Sequence, residues 1–227
     1  MLSGPLVILA LLLRTFCFEP FNIPSGAMIP TLLMGDYLFV AKFSYGYTRY
    51  SLPFSPPLFP GRIFSSHGPE RGDVAVFRLP ADTSVNYIKR VVGLPGDKVQ
   101  MIHGNLFING QVVPRRQVED YVYSDGGQST VMHQYIESLP RGPGEPPVDH
   151  RIIKFGDEGP FDNTPVYDVP QGYYFAMGDS RDNSLDSRAM SKVGFIPAEN
   201  FVGRASFIFY STDGADMRSD RMLKAVH

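Results

Sequence analysis

The fold is decided by a local pattern that is clearest in Gly72-Asp73-Val74-Ala75-Val76-Phe77, where a Gly-Asp turn precedes an apolar run. The same pattern recurs at Gly35-Asp36 and at Gly96-Asp97. Glycine adopts unusual φ angles at little steric cost, and aspartate hydrogen-bonds its own turn backbone. Asn109-Gly110 adds a two-residue hairpin signal between two further apolar runs. These turns predict a mainly β chain.

The composition agrees with this prediction and disfavours several classes of protein. The 227 residues are 43% hydrophobic and 19% charged, which suits one large domain or a domain with an insert. The abundance of turn formers and aromatics, with 22 Gly, 20 Pro and 17 Phe, favours strands over helices. The net charge of −2 shows no basic excess, so we expect no nucleic-acid partner. Cys17 is the only cysteine, which leaves no internal disulfide, and we interpret it as a small buried hydrophobe.

Two polar, Gly- and Pro-rich stretches interrupt the β pattern. Residues 45–68 are typical of a long ordered loop, and residues from about 119 to 170 are typical of a lobe inserted between two parts of one core. The predicted division is a core formed by residues 18–115 and 169–213, an inserted lobe at 116–168 and a loosely held tail at 214–227.

The N-terminal residues Leu2 to Leu13 form an apolar run that ends at Arg14. A membrane-spanning helix needs about 20 apolar residues, so this run is too short alone. It is a cleavable signal peptide, a buried helix of a soluble domain, or the second half of a membrane anchor whose first half is missing. The first lacks a charged start and a small-x-small cleavage site. We favour the third and predict a partial transmembrane anchor at residues 1–17, with the aromatic residues 16–21 suited to a membrane interface.

Several kinds of chemical site are disfavoured. The five histidines show no metal-ligand spacing and there is one cysteine, so we predict no metal site. The chain has no Gly-rich phosphate loop, and we predict no cofactor. A Ser-His-Asp triad is not excluded by spacing, because triads are assembled in space, but no histidine has a local context that favours it.

Lys89 is more informative, because it lies in the run 87–92, which is dense in β-branched and aromatic residues. On a strand it shares one face with Tyr87 and Val91, while Arg90 faces the other way. Such a lysine is either a snorkelling surface residue or a desolvated amine, and strand context alone favours snorkelling. To act as a base near pH 7–8, its pKa must fall by about 3 from roughly 10.4. A desolvated amine can then take a proton from a hydroxyl, as in Ser-Lys catalysis.

A polar segment, Gly178-Asp179-Ser180-Arg181-Asp182-Asn183-Ser184-Leu185-Asp186-Ser187-Arg188, lies between predicted strands. It is either a solvated turn or a polar network that holds other groups beside a site.

Three separated segments resemble the nucleophile, base and polar motifs of the bacterial type I signal peptidases, membrane-bound serine endopeptidases that remove export signals. In the order of that family, the segments are Ile23-Pro24-Ser25-Gly26-Ala27-Met28-Ile29-Pro30-Thr31-Leu32, Tyr87-Ile88-Lys89-Arg90-Val91-Val92-Gly93-Leu94-Pro95-Gly96-Asp97, and residues 178–188. The resemblance spans about residues 5 to 213, with a loose match over the insert. It implies a β-rich catalytic core with a smaller inserted β lobe, anchored in the bacterial inner membrane with its catalytic domain on the outer, periplasmic side.

The resemblance also implies catalytic roles. Ala27 stands where the family has its attacking serine. Lys89 would be the general base, and Ser184 would hold its ammonium in place. The Ser25 hydroxyl and the backbone N–H of residue 27 would form the oxyanion hole.

Supporting and substrate-binding roles follow from the same resemblance. Asp186 and Arg188 would support the site, and Gly178 would let the backbone approach the lysine. The chain edges around Ile23-Pro24 and Val85-Asn86-Tyr87 would pair with an extended substrate. The implied partners are membrane lipid and preprotein signal peptides with small, Ala-like residues before the cleavage site.

The sequence departs from the family at two positions of these motifs. Ser180 replaces the usual asparagine, and we expect a small effect. Ala27 replaces the nucleophile, a loss that costs about 10⁶ in rate in another serine protease. Ser25 is two residues away and is assigned to the oxyanion hole, so we do not expect it to substitute.

Three functional hypotheses remain open. The chain is a signal peptidase inactive through Ala27, a natural relative that binds export signals without cutting them, or a purely structural β module at the membrane.

Overall fold

The computed structural model describes residues 17–52, 55–56, 61–64, 67–125, 128–214 and 216–227. Strands dominate the described residues, as predicted from the turn pattern. The strands are β1 (Phe18–Asn22), β2 (Asp36–Ala41), β3 (Val74–Leu79), β4 (Asp82–Gly93), β5 (Lys98–Ile102), β6 (Asn105–Ile108), β7 (Gln111–Val112), β8 (Arg115–Gln117), β9 (Tyr121–Asp125), β10 (Gln128–Leu139), β11 (Val148–Lys154), β12 (Tyr167–Asp168), β13 (Tyr173–Met177), β14 (Ile196–Pro197) and β15 (Phe201–Ser211). Short 3-10 helices occupy Gly26–Met28, Lys42–Ser44, Arg49–Ser51, Ala198–Asn200 and Ser219–Arg221.

The turn signals place the strands as expected. Each Gly-Asp pair leads directly into a strand, β2, β3 or β5. The hairpin between β6 and β7 turns at Asn109 (φ 54°) and Gly110 (φ 77°), both in the left-handed region that a tight hairpin of this kind requires. The prediction of a mainly β fold is therefore confirmed.

The main sheet has seven strands in the order β1-β2-β15-β3-β4-β13-β14, and each neighbouring pair is antiparallel. Because direction alternates from strand to strand, β1 and β4 run the same way. On one face of the sheet, Ile23, Met28 and Leu32 pack with core residues of β2, β3 and β15. The segment around position 27 is therefore fixed to the core by its apolar residues.

Two four-stranded sheets complete the described structure. One has the order β11-β10-β8, with β9 also paired to β10, and the other has the order β12-β5-β6-β7. The second sheet joins strands from both sides of the predicted boundary at 115/116, because β5–β7 precede it and β12 follows it. The predicted boundaries therefore do not coincide with sheet boundaries, and the division into a core and an inserted lobe stays a prediction.

The C-terminal residues are held more firmly than the polar sequence of 214–227 suggested. The buried Arg221 pairs with the buried Asp36 at 2.5 Å between Nη2 and Oδ2. The backbone N–H groups of Leu223 and Val226 donate to carbonyl oxygens of β15 at 2.7 and 2.9 Å. The expectation of a loosely held tail was therefore wrong, because one buried ion pair and strand-like backbone bonds dock this segment on the core.

The predicted membrane anchor at residues 1–17 lies outside the described residues apart from Cys17. Among the described residues, no helix is both long enough and apolar enough to cross a bilayer. The aromatic stretch that follows the anchor enters the main sheet, since β1 begins at Phe18.

Candidate active site

Position 27 lies on the 3-10 helix Gly26–Met28, which the chain enters through an extended Ser25 (φ −137°, ψ 156°). The Ala27 side chain is buried, and the Ala27 carbonyl oxygen accepts a hydrogen bond from the Ser180 backbone N–H at 3.1 Å. This bond ties the segment to the polar loop that follows β13. Ser25 itself is exposed, and its side chain makes no capping hydrogen bond.

Lys89 is a buried amine, with only 5% of its surface exposed. It sits in β4 opposite Ala75 of β3, and its Nζ lies 5.3 Å from the centre of the Tyr87 ring. Burial lowers the pKa of Lys89 to about 8, although the carboxylates of Asp186 and Asp179 act to raise it. The structure thus decides between the two interpretations of this lysine: it is desolvated and does not snorkel.

Gly178 brings position 27 and Ser184 together beside the strand that carries Lys89. A Cβ built on Gly178 would lie 2.5 Å from the Ala27 carbonyl oxygen and nearer still to Ser184 Oγ. In the sheet, Met177 pairs with Arg90, so Gly178 continues β13 towards the level of Lys89. Ser184 Oγ is buried, and its hydroxyl acts on the Asp186 carboxylate to lower the pKa of that group. The Ser184 side chain and the backbone of position 27 therefore meet at one glycine, which follows β13 at the level of Lys89 in the sheet.

Replacing Gly178 with alanine is expected to destabilise the fold, because neither the Ala27 backbone nor the Ser184 side chain has room for a methyl group. We expect the free energy of unfolding to fall by about 1–3 kcal/mol, the usual cost of overpacking. Urea denaturation of Gly178→Ala measures the loss. Gly156→Ala is the matched control, since a Cβ there meets nothing within 4 Å. Equal stability of the two variants would show that the approach at Gly178 is not tight.

Asp186 and Arg188 form a buried ion pair behind this cluster. Arg188 Nε and Nη2 donate to the two Asp186 carboxylate oxygens at 2.9 and 2.8 Å, and the Gly178 backbone N–H donates to Asp186 Oδ2 at 3.0 Å. Burial acts to raise the pKa of Asp186, but the Arg188 guanidinium and the N–H donors outweigh it and lower that pKa. Asp186 therefore stays ionised and holds the backbone of Gly178.

A second buried ion pair, which the sequence did not predict, connects β4, the strand that carries Lys89, to the polar loop of residues 178–188. Arg90 donates to Asp179 at 2.9 Å from Nε and at 2.7 Å from Nη2, and to the Gly72 carbonyl oxygen at 2.7 Å. Thr31, at the end of the nucleophile segment, donates its hydroxyl to Asp179 Oδ2 at 2.5 Å. The sequence contained one indication of this pair, because strand alternation places the charged Arg90 on a face that is otherwise apolar.

A third ionic group links the polar loop to the sheet of β8–β11. Arg181 donates to both carboxylate oxygens of Glu137 in β10, at 2.9 Å from Nη1 to Oε1. His150 Nε2 in β11 lies 3.4 Å from Glu137 Oε2 and 4.0 Å from Asp179 Oδ1. Burial lowers the pKa of His150, and the nearby Arg90 charge adds to this effect. The sequence offered no local signal for this contact, because its partners lie far apart in the chain.

The polar loop makes one more buried contact with this sheet. Lys154 at the end of β11 donates from Nζ to Asp162 at 2.5 Å and to Asp182 at 3.0 Å. The Phe155 backbone N–H donates to the other Asp182 oxygen at 2.7 Å. The loop is therefore held from several sides, and the interpretation of residues 178–188 as a solvated turn is wrong.

The two predicted substrate edges flank the same apolar cluster. Ile23 uses both its backbone groups, donating to Asp36 at 2.9 Å and accepting from Gly35 at 3.0 Å, while Pro24 next to it is exposed. Ile23 and Ile88 pack in one hydrophobic cluster, so the two segments converge there.

At residues 85–87, where the prediction places the substrate, one edge of β4 has no paired strand in the part of the chain that the structure describes. Val85, Asn86 and Tyr87 follow the start of β4, where Asn86 and Tyr87 pair with β3 on one side. Within the described residues, β13 pairs with β4 only from Arg90 onward, which leaves the other side of this stretch without a strand. The side chains of Val85 and Asn86 are exposed and that of Tyr87 is half-buried. An added strand can therefore pair with β4 here.

The arrangement supports one kind of chemistry. A lysine whose pKa lies near neutrality can take a proton from a hydroxyl beside it, which is how a Ser-Lys pair creates its nucleophile. Ala27 carries a methyl group and no hydroxyl, so this residue cannot itself donate a proton to Lys89.

Comparisons with known proteins identify the family of this chain. A family model described as "Signal peptidase, peptidase S26" matches residues 1–210. Signal peptidase I from Rickettsia typhi is 44% identical over 211 residues, which are 91% of this chain and 77% of that protein. Signal peptidase I from Rickettsia canadensis is 45% identical over 211 residues, with the same shares. A crystal structure of a signal peptidase I from Enterococcus faecalis V583 is 24% identical, covers 62% of this chain and 98% of that chain, and gives a TM-score of 0.34. The chain therefore belongs to the signal peptidase I family, peptidase family S26.

Proposed function

We propose that this chain is a signal peptidase I that binds the export signals of preproteins and does not cut them, because Ala27 occupies the place of its nucleophilic serine. The observation that carries the proposal is the buried Lys89 amine, whose pKa is about 8 and which lies in the strand beside Gly178, Ser184 and position 27. A purely structural module has no need for a desolvated lysine, whose burial costs free energy. The proposal thus explains why the protein has a lysine whose burial costs free energy.

Four residues carry the proposed chemistry. Lys89 acts as general base once a serine stands at position 27. Ser184, whose hydroxyl is buried, accepts a hydrogen bond from the lysine and orients it. The exposed Ser25 hydroxyl and the backbone N–H of residue 27 donate to the oxyanion of the tetrahedral intermediate.

The substrate pairs as an added strand with the open edge of β4 at Val85-Asn86-Tyr87 and passes beside Ile23-Pro24, where the Ile23 backbone groups are already bonded to Gly35 and Asp36. β1 and β4 run in the same direction, with β2, β15 and β3 between them in the sheet, so a strand parallel to one is parallel to the other. With the residues before the scissile bond on the β4 edge, the substrate runs parallel to β1 and β4 and reaches position 27 at its scissile bond. Shallow pockets there accept small side chains at the −1 and −3 positions.

The proposed location is the bacterial inner membrane, with the catalytic core on the periplasmic side. This rests on the apolar run from Leu2 to Leu13 and on the membrane-inserted substrates that such an enzyme meets. Lipid is therefore a proposed partner.

A second candidate is a natural relative whose gene encodes alanine at position 27, so that it binds signal peptides and never cuts them. The intact base argues against it, because a binding protein gains nothing from a costly buried lysine. Sequencing the source gene separates the two, since a serine codon at position 27 would exclude a natural binding protein.

The pH dependence of the Ala27→Ser enzyme tests the proposed base. Only the neutral amine accepts a proton, so kcat/KM is expected to rise with pH through about 8 and then level off. At pH 6 the rate falls about a hundredfold below the plateau. Initial rates on a preprotein at pH 6 to 9 give the profile, with stability checked at each pH. A rate that is flat across this range would rule out Lys89 as the base.

A further inference from the structure

A cavity of about 410 Å³ opens between the nucleophile segment, the polar loop and the β9–β10 hairpin. It adjoins a second cavity of about 560 Å³, and the two share Met34 and Tyr123 on their walls. We call the two cavities together the hairpin groove, and the smaller one is lined by residues that include Gly26, Ile29, Met34, Tyr123, Met132 and Asn183. None of these residues has a role in the chemistry proposed above.

The mouth of the hairpin groove lies beside the candidate active site. Gly26 and Asn183, which line it, are the chain neighbours of Ala27 and Ser184. A Cβ at Gly26 would lie 3.0 Å from Ile29 Cδ1 and 3.6 Å from Asn183 Nδ2. The missing side chain at Gly26 therefore keeps the mouth open between Ile29 and Asn183.

The direction of the substrate leads into this mouth. A substrate that runs parallel to β1 passes Ile23 and Pro24 before it reaches position 27. The residues after the scissile bond then continue past Gly26 and Asn183, and so towards the groove.

We infer that the hairpin groove binds the first residues of the mature protein, as an extended segment downstream of the scissile bond. This inference rests on the function proposed above and extends its binding site. The occupant is a peptide of varied sequence, because methionines at Met34 and Met132 have flexible, polarisable side chains that adapt to different neighbours. Tyr123 adds an aromatic contact surface, and its side chain loses little conformational entropy on binding.

Peptide binding to the unaltered chain tests the inference, since Ala27 leaves the substrate uncut. Two fluorescent peptides share residues −7 to +2 of one preprotein, counted from its scissile bond. The longer peptide continues to residue +8. We expect the longer peptide to bind at least about tenfold more tightly, measured by fluorescence anisotropy. Met34→Ser and Tyr123→Ala are expected to abolish this difference and to leave the affinity of the short peptide unchanged. The control is Val131→Ala, an exposed residue of β10 that lines neither cavity.

Photo-cross-linking locates the mature segment without any substitution in the protein. A benzophenone amino acid at position +3 reacts preferentially with nearby methionines, so we expect its product on Met34 or Met132. The exposed Met190 and Met222, which line neither cavity, serve as internal controls.

The outcomes distinguish the inference from the function on which it rests. Equal affinities of the two peptides, or cross-links confined to Met190 and Met222, would overturn the groove while the short peptide still binds. If neither peptide binds and Ala27→Ser does not cleave, the proposed function fails and the inference fails with it.

Discussion

Ala27→Ser is expected to convert this chain into an active endopeptidase, with a gain of about 10⁶ in rate over the unaltered chain. The new hydroxyl would stand on a segment fixed by Met28 in the core and by the bond from Ser180 to the Ala27 carbonyl oxygen at 3.1 Å. Lys89 is already buried nearby and has a pKa of about 8, so no other group needs to change. Cleavage of a preprotein after an Ala-x-Ala site, assayed in detergent, measures the effect.

The matched control for this result is the double variant Ala27→Ser with Lys89→Met. Methionine fills the space of the lysine stem but carries no base, so the double variant should be as inactive as the unaltered chain. A folded Ala27→Ser protein without activity would contradict the assignment, and so would a double variant that still cleaves.

Glu137→Ala is expected to have the largest effect on stability. Glu137 is buried and accepts two hydrogen bonds from the buried Arg181, so its removal leaves a guanidinium without its partner in the protein interior. Breaking such a pair costs about 3–5 kcal/mol. Urea denaturation followed by circular dichroism measures the free energy of unfolding.

An exposed ion pair between β11 and the loop that joins β8 to β9 provides the comparison. Arg151 and Glu119 lie 3.4 Å apart, but their side chains are 49% and 76% exposed. Glu119→Ala is expected to leave stability unchanged within error, because solvent screens such pairs. If Glu137→Ala is as stable as Glu119→Ala, the buried pair does not hold the polar loop to β10.

The strands were predictable because their signals are local. A Gly-Asp turn acts within its own few residues, which is why β2, β3 and β5 begin where the sequence indicated. The C-terminal segment was misjudged for the opposite reason. Its polar composition is visible locally, but the ion pair of Arg221 with Asp36 joins residues 185 positions apart.

The catalytic positions were predictable only in part. The strand context of Lys89 favoured a surface lysine, and it took the resemblance of three motifs to indicate a buried base. The structure shows the cause of the discrepancy, since the exposed first half of β4 gives way to a buried second half at Lys89. Burial of a strand along its length depends on what packs over it, and the sequence of the strand does not contain that information.

The partners in the buried ionic contacts were not predictable from the sequence. Arg90 and Asp179 are 89 positions apart, and Arg181 and Glu137 are 44 apart. Many acidic residues could satisfy each arginine as far as the sequence shows. Only the folded sheets select one partner for each.

Titration of the Lys89 amine tests the central claim most directly, because the desolvated lysine carries the proposed mechanism. Lysine side chains labelled with ¹³C and ¹⁵N can be followed by NMR from pH 6 to 11, and Lys89→Arg identifies the Lys89 signal. The structure predicts a midpoint at about 8. A midpoint near the ordinary value of 10.5 would contradict the account and favour a structural module.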